Sequence, residues 1–458
     1  MEVAPLDALA DACEAVRRTA PSPAGIADLR LRAFERFSAL GMPTTRLERW
    51  RFTNVAPIAG TAFTLAAPAD TAAAKVDAAP HALSGVGARL TFINGRYVAP
   101  ASDLARLPAG VHVGSLADAL ASESAGTRAV VDAHLASEAG VDDEAFTALN
   151  TALLHDGAVV HVPPNTVVEE PIQLLFVTSP PEGGAPVMTH PRVLIVAGEN
   201  SQVRLVESYG GGGESAYLTN AVTEVVAGPA AVVDHYKLVR ESLAGYHIAA
   251  MHLRLARAAN FSSHAVTLGG AIVRNDVQAT LDGEGVECTL NGLYLAKGRR
   301  LIDNHTTIHH AKPHCSSHEL YKGILDDRAH AVFNGKIIVA IDAQKTDAKQ
   351  TNKALLLSED AQINTKPELE IFADDVKCTH GATVGQLDED ALFYLRARGL
   401  SEHQARSVLI HAFASDLLNR IAVEPIRAQL DNLLLRQLPG AGGGSFEVGA
   451  DGFDEQPG

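Results

Sequence analysis

Cys378 and His380 stand two positions apart in the stretch "DDVKCTHGATVGQLD", just before the hydrophobic period of the chain changes. On a β-strand, positions i and i+2 point to the same face. A thiol and an imidazole so placed are either half of a metal site or two small buried side chains. As a complete site they fail by count, because an iron–sulfur cluster takes about four ligands. As half a site the pair is plausible, since the last strand of a sheet leaves an edge that another chain can join.

A second concentration of ligand-type residues lies in "DNHTTIHHAKPHCSSHELYKG", which holds His305, His309, His310, His314, His318 and Cys315. Imidazole and thiol donors suit zinc or iron. Pro313 and the threonine-rich flank argue against a helix here. Period-two spacing places His305 and His309 on one face and His310 and His314 on the other. Stacking and hydrogen bonding therefore account for these histidines better than a catalytic metal does. Gly335-Lys336 in "FNGKII" lacks the flanking residues of a P-loop, and Gly210–Gly213 does not continue into GxGxxG. Both read as turns, and the chain is expected to bind no nucleotide itself. There is no GxSxG elbow, and Cys315 cannot use its own neighbour His314 as a base on a strand.

Composition sets outer bounds. Among 458 residues, 54 are acidic and 38 basic, a net charge of −16 that argues against nucleic-acid or anionic-membrane partners. The first residues lack a basic stretch followed by an apolar one, and no window approaches the roughly 18 apolar residues of a membrane span. Cys13, Cys288, Cys315 and Cys378 form no CxxC pair. Free thiols in a reducing cytoplasm are the expectation.

Periodicity divides the chain. "GIADLRLRAFERFSALG" places Leu29, Ala33, Phe34, Phe37 and Leu40 at helical spacing, with Gly41 as the stop. "PTTRLERWRFTN" follows with the only tryptophan, Trp50. Residues 1–155 are thus expected to be helical or mixed, with no firm architecture from Ala56 to Val141. From residue 156 the period becomes two. An aliphatic residue, a turn and an alternating strand recur from Val196, Val226, Leu255, Leu281, Leu325 and Leu357, in steps of 30, 29, 26, 44 and 32. Such recurrence suggests a stacked β-solenoid, although sandwiches and propellers share the pattern. At Asp388 the period returns to 3.6. Ser401 and Gln404 form a capping box before an apolar stripe of Ala405, Val408, Leu409, Ala412, Phe413, Leu417 and Ile421. Pro425 opens a third helix, and residues 439–458, rich in glycine and acid, are expected to be disordered.

Taken together, "NGLYLAKGRRLIDNHTTIHHAKPHCSSHELYKGILDD" and the run from "VFNGKIIVAIDAQKTD" through "KCTHGATVGQLDEDALFYLRARGL" resemble the SufB/SufD family of iron–sulfur cluster assembly scaffolds. "PTTRLERWRFTN" is similar to an element of the SufD branch, and the additional N-terminal cysteines frequent in the SufB branch are missing. The resemblance implies a mainly β fold with α elements: a right-handed parallel β-helix over 156–387, an N-terminal helical or mixed region, and a C-terminal helical domain over 388–438. It also implies a non-enzymatic scaffold, paired with SufB through the end of the β-helix and docking the SufC ATPase on its C-terminal helices. Sulfur would arrive from a cysteine desulfurase, chiefly through SufB. His380 would face a SufB cysteine, with Cys378 beside it as a thiolate if exposed. A transient iron–sulfur cluster or iron would form at that interface. A homodimer is the alternative assembly in isolation.

Two other functions compete with this one. A metal-dependent β-solenoid enzyme would act through the His305–His318 cluster. A purely structural adaptor for the ATPase would leave Cys378 and His380 inert.

Overall fold

Successive strands of the period-two segment do not pair with each other; each pairs in parallel with the strand two places further on. Gln202–Gly211, Val232–Arg240, Asn260–Thr267, Glu287–Ala296, Ser316–Leu325, Asp347–Leu356 and Lys377–Gly385 form one sheet in that order. Tyr217–Ala227, Gly245–Leu255, Ile272–Leu281, Leu301–His310, His330–Val339 and Gln362–Ile371 form the other. The result, in a computed structural model that describes residues 6–20, 23–66, 78–104, 106–122, 125–180 and 183–437, is a β-solenoid of about seven turns over residues 172–385. Apolar residues at alternate positions of both sheets, among them Val203, Leu205, Val233, Phe261, Leu290, Ile302, Ile308 and Phe333, fill its lumen.

One corner of each turn is built by a residue in the left-handed region. Asn200, Ala230, Ala258, His314 and Lys345 have φ between 54° and 62°. For L-residues that conformation is unfavourable. Stacking offsets it here: Asn200 N donates to Pro229 O at 2.8 Å, Ala230 N to Arg257 O at 2.9 Å, and His314 N to Gln344 O at 2.9 Å, each in the following turn. The irregular step of 44 in the sequence repeat has the same origin. Leu255 pairs with Leu281, Leu281 with His310 and His310 with Val339, all before this corner, whereas Leu325 and Leu357 lie at the opposite corner. His310 occupies an aliphatic slot, so the repeat skips from one corner to the other.

The two glycine motifs read as turns fall differently. Gly335 lies within the strand His330–Val339, and Gly210 and Gly211 within Gln202–Gly211; Gly212 and Gly213 alone make a turn. Gly335 leaves room for a side chain from the other sheet, because a Cβ there would fall 1.8 Å from Gln350 Nε2. The Gln350 side chain crosses the lumen through the space that glycine leaves.

The N-terminal region is mixed α/β. Ala88–Ile93 extends one sheet in parallel with Ile172–Thr178, and His112–Ser115 pairs antiparallel with Gly157–Val162 in the other. The helix Ala24–Leu40 ends as expected, with Gly41 N donating to Phe37 O at 2.8 Å. Of the predicted stripe Ala33 and Phe37 are buried, Leu29 and Phe34 half-buried and Leu40 exposed, while Ile26 and Arg30 complete the buried face. Arg30 is the position that hydrophobic period does not assign to the core. Its Nε donates to Leu154 O at 2.9 Å, so a charged side chain takes a core position beside the half-buried Leu29. Trp50 packs 5.5 Å from Phe146, ring centre to ring centre, with the Arg274 guanidinium 4.0 Å from the indole. Arg49 bonds Glu144 and Asp276, and Thr53 donates to Asp303 at 2.5 Å. The element "RLERWRFTN" thus clamps the outer face of the second sheet.

From Leu387 the chain forms a separate helical unit, with helices Glu389–Ala397, Glu402–Leu418 and Glu424–Gln437. Asp388 caps the first by accepting from Asp390 N and Ala391 N. The Ser401–Gln404 capping box is formed. Replacing Ser401 by alanine is expected to lower the stability of this unit by about 1 kcal/mol, read as a drop in its thermal midpoint. The buried face of the middle helix is Ala405, Ile410, Ala414, Leu417 and Leu418; Val408 and Ala412, assigned to the inner stripe by period, face outward. Phe393 and Tyr394 are also exposed, at 74% and 55%. The expected tail 439–458 and residue 438 lie outside the described residues. No helix among the described residues is long and apolar enough to cross a membrane.

Candidate functional site

The solenoid ends on an unfinished turn. The last strand of each sheet, Lys377–Gly385 and Gln362–Ile371, pairs on one side only, with Asp347–Leu356 and His330–Val339. Among the described residues no strand covers the outer edge of either. Their hydrogen-bonding groups and the side chains Ile371, Phe372 and Val384, at 40%, 62% and 48% exposure, face outward.

Cys378 and His380 lie on this last rung. Cys378 is opposite Ala348 and His380 opposite Gln350, both of which are buried lumen positions. The two donors therefore share the face that continues the lumen beyond its last closed turn. Cys378 is half-buried against Ile337, Val339, Ala343, Ala348 and Ala373. His380, one pair further along, is exposed. Desolvation, with a smaller contribution from the Asp347 carboxylate, raises the Cys378 pKa above the ordinary thiol value. In the lone chain Cys378 is thus held as a thiol. A nearby cation or a bound metal would be needed to draw off its proton.

The histidine-rich segment does not converge. His305 is buried on the outer face, with Nε2 3.0 Å from Asp303 Oδ1, beneath the Trp50 segment. His310 points into the lumen, with Nε2 2.9 Å from Ser317 Oγ. Burial lowers its pKa to about 4, so it is neutral. His314 sits at a corner rather than on a strand, and His318 is exposed on the other sheet. The shared face expected for His310 and His314 therefore does not exist, because the strand ends at His310 before the corner begins. Cys315 is buried, and its Sγ donates to Gly283 O at 3.1 Å. No three His, Cys, Asp or Glu side chains among the described residues are grouped to hold a metal ion.

Two profiles of known families match the sequence: the SufBD core domain of the SUF system for FeS cluster assembly over residues 177–413, and the SufBD protein N-terminal region over residues 12–174. The chain belongs to the SufBD family. It is 36% identical over 408 residues to an iron–sulfur cluster assembly SufBD family protein of Synechocystis, covering 87% of this chain and 88% of that one. To the iron–sulfur cluster assembly protein SufD of Escherichia coli it is 31% identical over 401 residues, covering 87% and 90%. To SufD of Bacillus subtilis it is 29% identical over 303 residues, covering 65% and 68%.

This SufBD chain has polar residues under its last rung that sequence reasoning missed. Gln350, directly beneath His380, donates from Nε2 to Glu319 Oε2 at 2.9 Å. Glu319 is fully buried, and desolvation, only partly opposed by Thr306 and Gln350, raises its pKa to about 7. The one available signal was a charge inside a period-two run: in "SSHELYKGIL" Glu319 shares parity with Ser317 and Tyr321, two lumen residues.

Proposed function

We propose that this chain is the SufD-type, non-catalytic member of a scaffold pair in iron–sulfur cluster assembly. The unpaired last rung of the solenoid, which carries Cys378 and His380, is the observation that carries this reading. Strand addition at that edge would bring a SufB-type subunit's donors to the same face. One thiol and one imidazole supply half of what a nascent cluster needs, and the cluster is cargo that leaves. The similarity to two SufD proteins supports the SufD-type role over the SufB-type one. The outward Phe393, Tyr394 and Val408 offer an aromatic and aliphatic patch for a SufC-type ATPase, which would supply the nucleotide chemistry.

The test is co-expression with SufB-type and SufC-type partners. Native mass of the purified complex is measured with its iron and acid-labile sulfide. His380→Ala and Cys378→Ala are each expected to leave the mass unchanged and to remove most of the iron and sulfide. Variants that keep the wild-type content would make the rung a purely structural contact and the chain an inert adaptor.

A further inference from the structure

Beta-solenoid lumens are ordinarily dry, yet the lumen of this one contains a file of polar side chains. At the early turns Lys237 Nζ donates to Asn275 Oδ1 at 2.8 Å, and Asn275 Nδ2 donates to Asn304 Oδ1 at 3.2 Å. Two positions further along the same strand stands Thr306, across the lumen from Glu319. Gln350, whose backbone pairs with the rung of His380, turns its side chain back to Glu319 over the gap left by Gly335.

The file is incompletely bonded. Asn304 Nδ2, Glu319 Oε1, Gln350 Oε1 and Asn352 Oδ1 are buried without a protein partner. A buried polar atom left unsatisfied costs about 1–3 kcal/mol, and several along one channel are the usual mark of ordered water. Direct bonds join neighbouring rungs at Gln350–Glu319 and Asn275–Asn304, and single bridging waters suit the lumen atoms left without a partner. The upper end of the file opens at the exposed His380.

We propose that the lumen of the solenoid holds a chain of water that connects the buried carboxyl of Glu319 with the terminal rung and exchanges protons between them. The conduit requires only the lumen side chains, so it stands whether or not the rung receives a cluster. The groups around Glu319 are Thr306 from the opposite sheet, Gln350 above, Cys288 and Leu290 below, and Tyr321 on its own strand, with the neutral His310 bonded to Ser317 two positions away. None of these is a cation at neutral pH, so a proton is the species that can neutralise Glu319. With its pKa near 7, the carboxyl is poised to accept or release one.

Infrared spectroscopy of the full chain tests the conduit. A carboxylic C=O band absent from Glu319→Gln should titrate near neutral pH and shift within the mixing time on transfer to D2O. In Gln350→Leu, which blocks the file with apolar bulk, the shift should slow by an order of magnitude or more. Exchange in the wild type as slow as that of core amides would overturn the proposal, and this holds even if the leucine variant fails to fold. Equal rates in a folded Gln350→Leu chain and the wild type would overturn it as well.

Discussion

Glu224→Ala is expected to destabilise the chain by about 3–5 kcal/mol, the usual cost of leaving one member of a buried ion pair alone. Glu224 and Arg192 lie on the outer face of the second sheet with side chains 0% and 1% exposed. Arg192 donates to Glu224 Oε1 from Nη2 at 2.7 Å and from Nε at 3.0 Å. The remaining capacity of both is used up by the N-terminal region. Arg192 Nη1 donates to Asn150 Oδ1 and Thr151 Oγ1, both at 3.1 Å. Glu224 accepts from the backbone N–H groups of Ala136, Glu138 and Ala139 at 2.9–3.0 Å. Burial opposes its charge, but Arg192 and these amides outweigh burial and hold the carboxyl below the usual carboxylate range. Alanine at 224 removes the counter-charge and three acceptor contacts while Arg192 stays buried. Denaturant unfolding monitored by Trp50 fluorescence measures the loss. A change under about 1 kcal/mol, the range of exposed pairs, would contradict this account. The double variant Arg192→Met/Glu224→Leu should recover only the part due to the unpaired Arg192 charge, since the three N–H groups at Ala136, Glu138 and Ala139 still lack their acceptor.

The second large effect is on pH dependence. The Glu319 carboxyl titrates at 4.5 as a free side chain and at about 7 in the folded chain. Folding thus favours its protonated form, and the associated stability is full below about pH 4.5. It is lost as the pH rises, and the loss is complete once the pH passes about 7. At about 1.4 kcal/mol for each pH unit, the loss amounts to about 3 kcal/mol. Unfolding free energies of wild type and Glu319→Gln, measured across this range, should diverge by that amount, with the glutamine variant favoured at the alkaline end. Parallel curves would show that Glu319 is ionised in the folded chain throughout.

Both predictions concern residues whose importance is hidden in the linear sequence. Arg192 opens an aliphatic run and Glu224 interrupts another, and each looks like an exposed charge on a half-buried strand. Their burial is decided by a helix and a turn that pack on them from 40 to 90 residues away in sequence. Glu319, Gln350 and Gly335 likewise meet only because strands two apart in sequence become neighbours and two sheets close around one lumen.

What the sequence alone determined is whatever depends on local repetition. Period two, broken by turn residues at near-regular intervals, dictates short strands, and their stacking into a solenoid came from the resemblance to a family. A return to period 3.6 after Asp388, with Ser401 and Gln404 in capping positions, dictates helices. The end of the helix at Gly41 was legible for the same reason. The spacing of Cys378 and His380 placed them on one strand face, because side-chain alternation on a strand does not depend on its neighbours. Tertiary structure decided everything that depends on which surfaces are covered. It buried Arg30 in the first long helix, scattered a histidine cluster across the lumen, a corner and two outer faces, and kept Cys378 half-buried and protonated beside an exposed His380. Burial and charge balance are sums over contacts from distant segments, and no local pattern encodes such a sum.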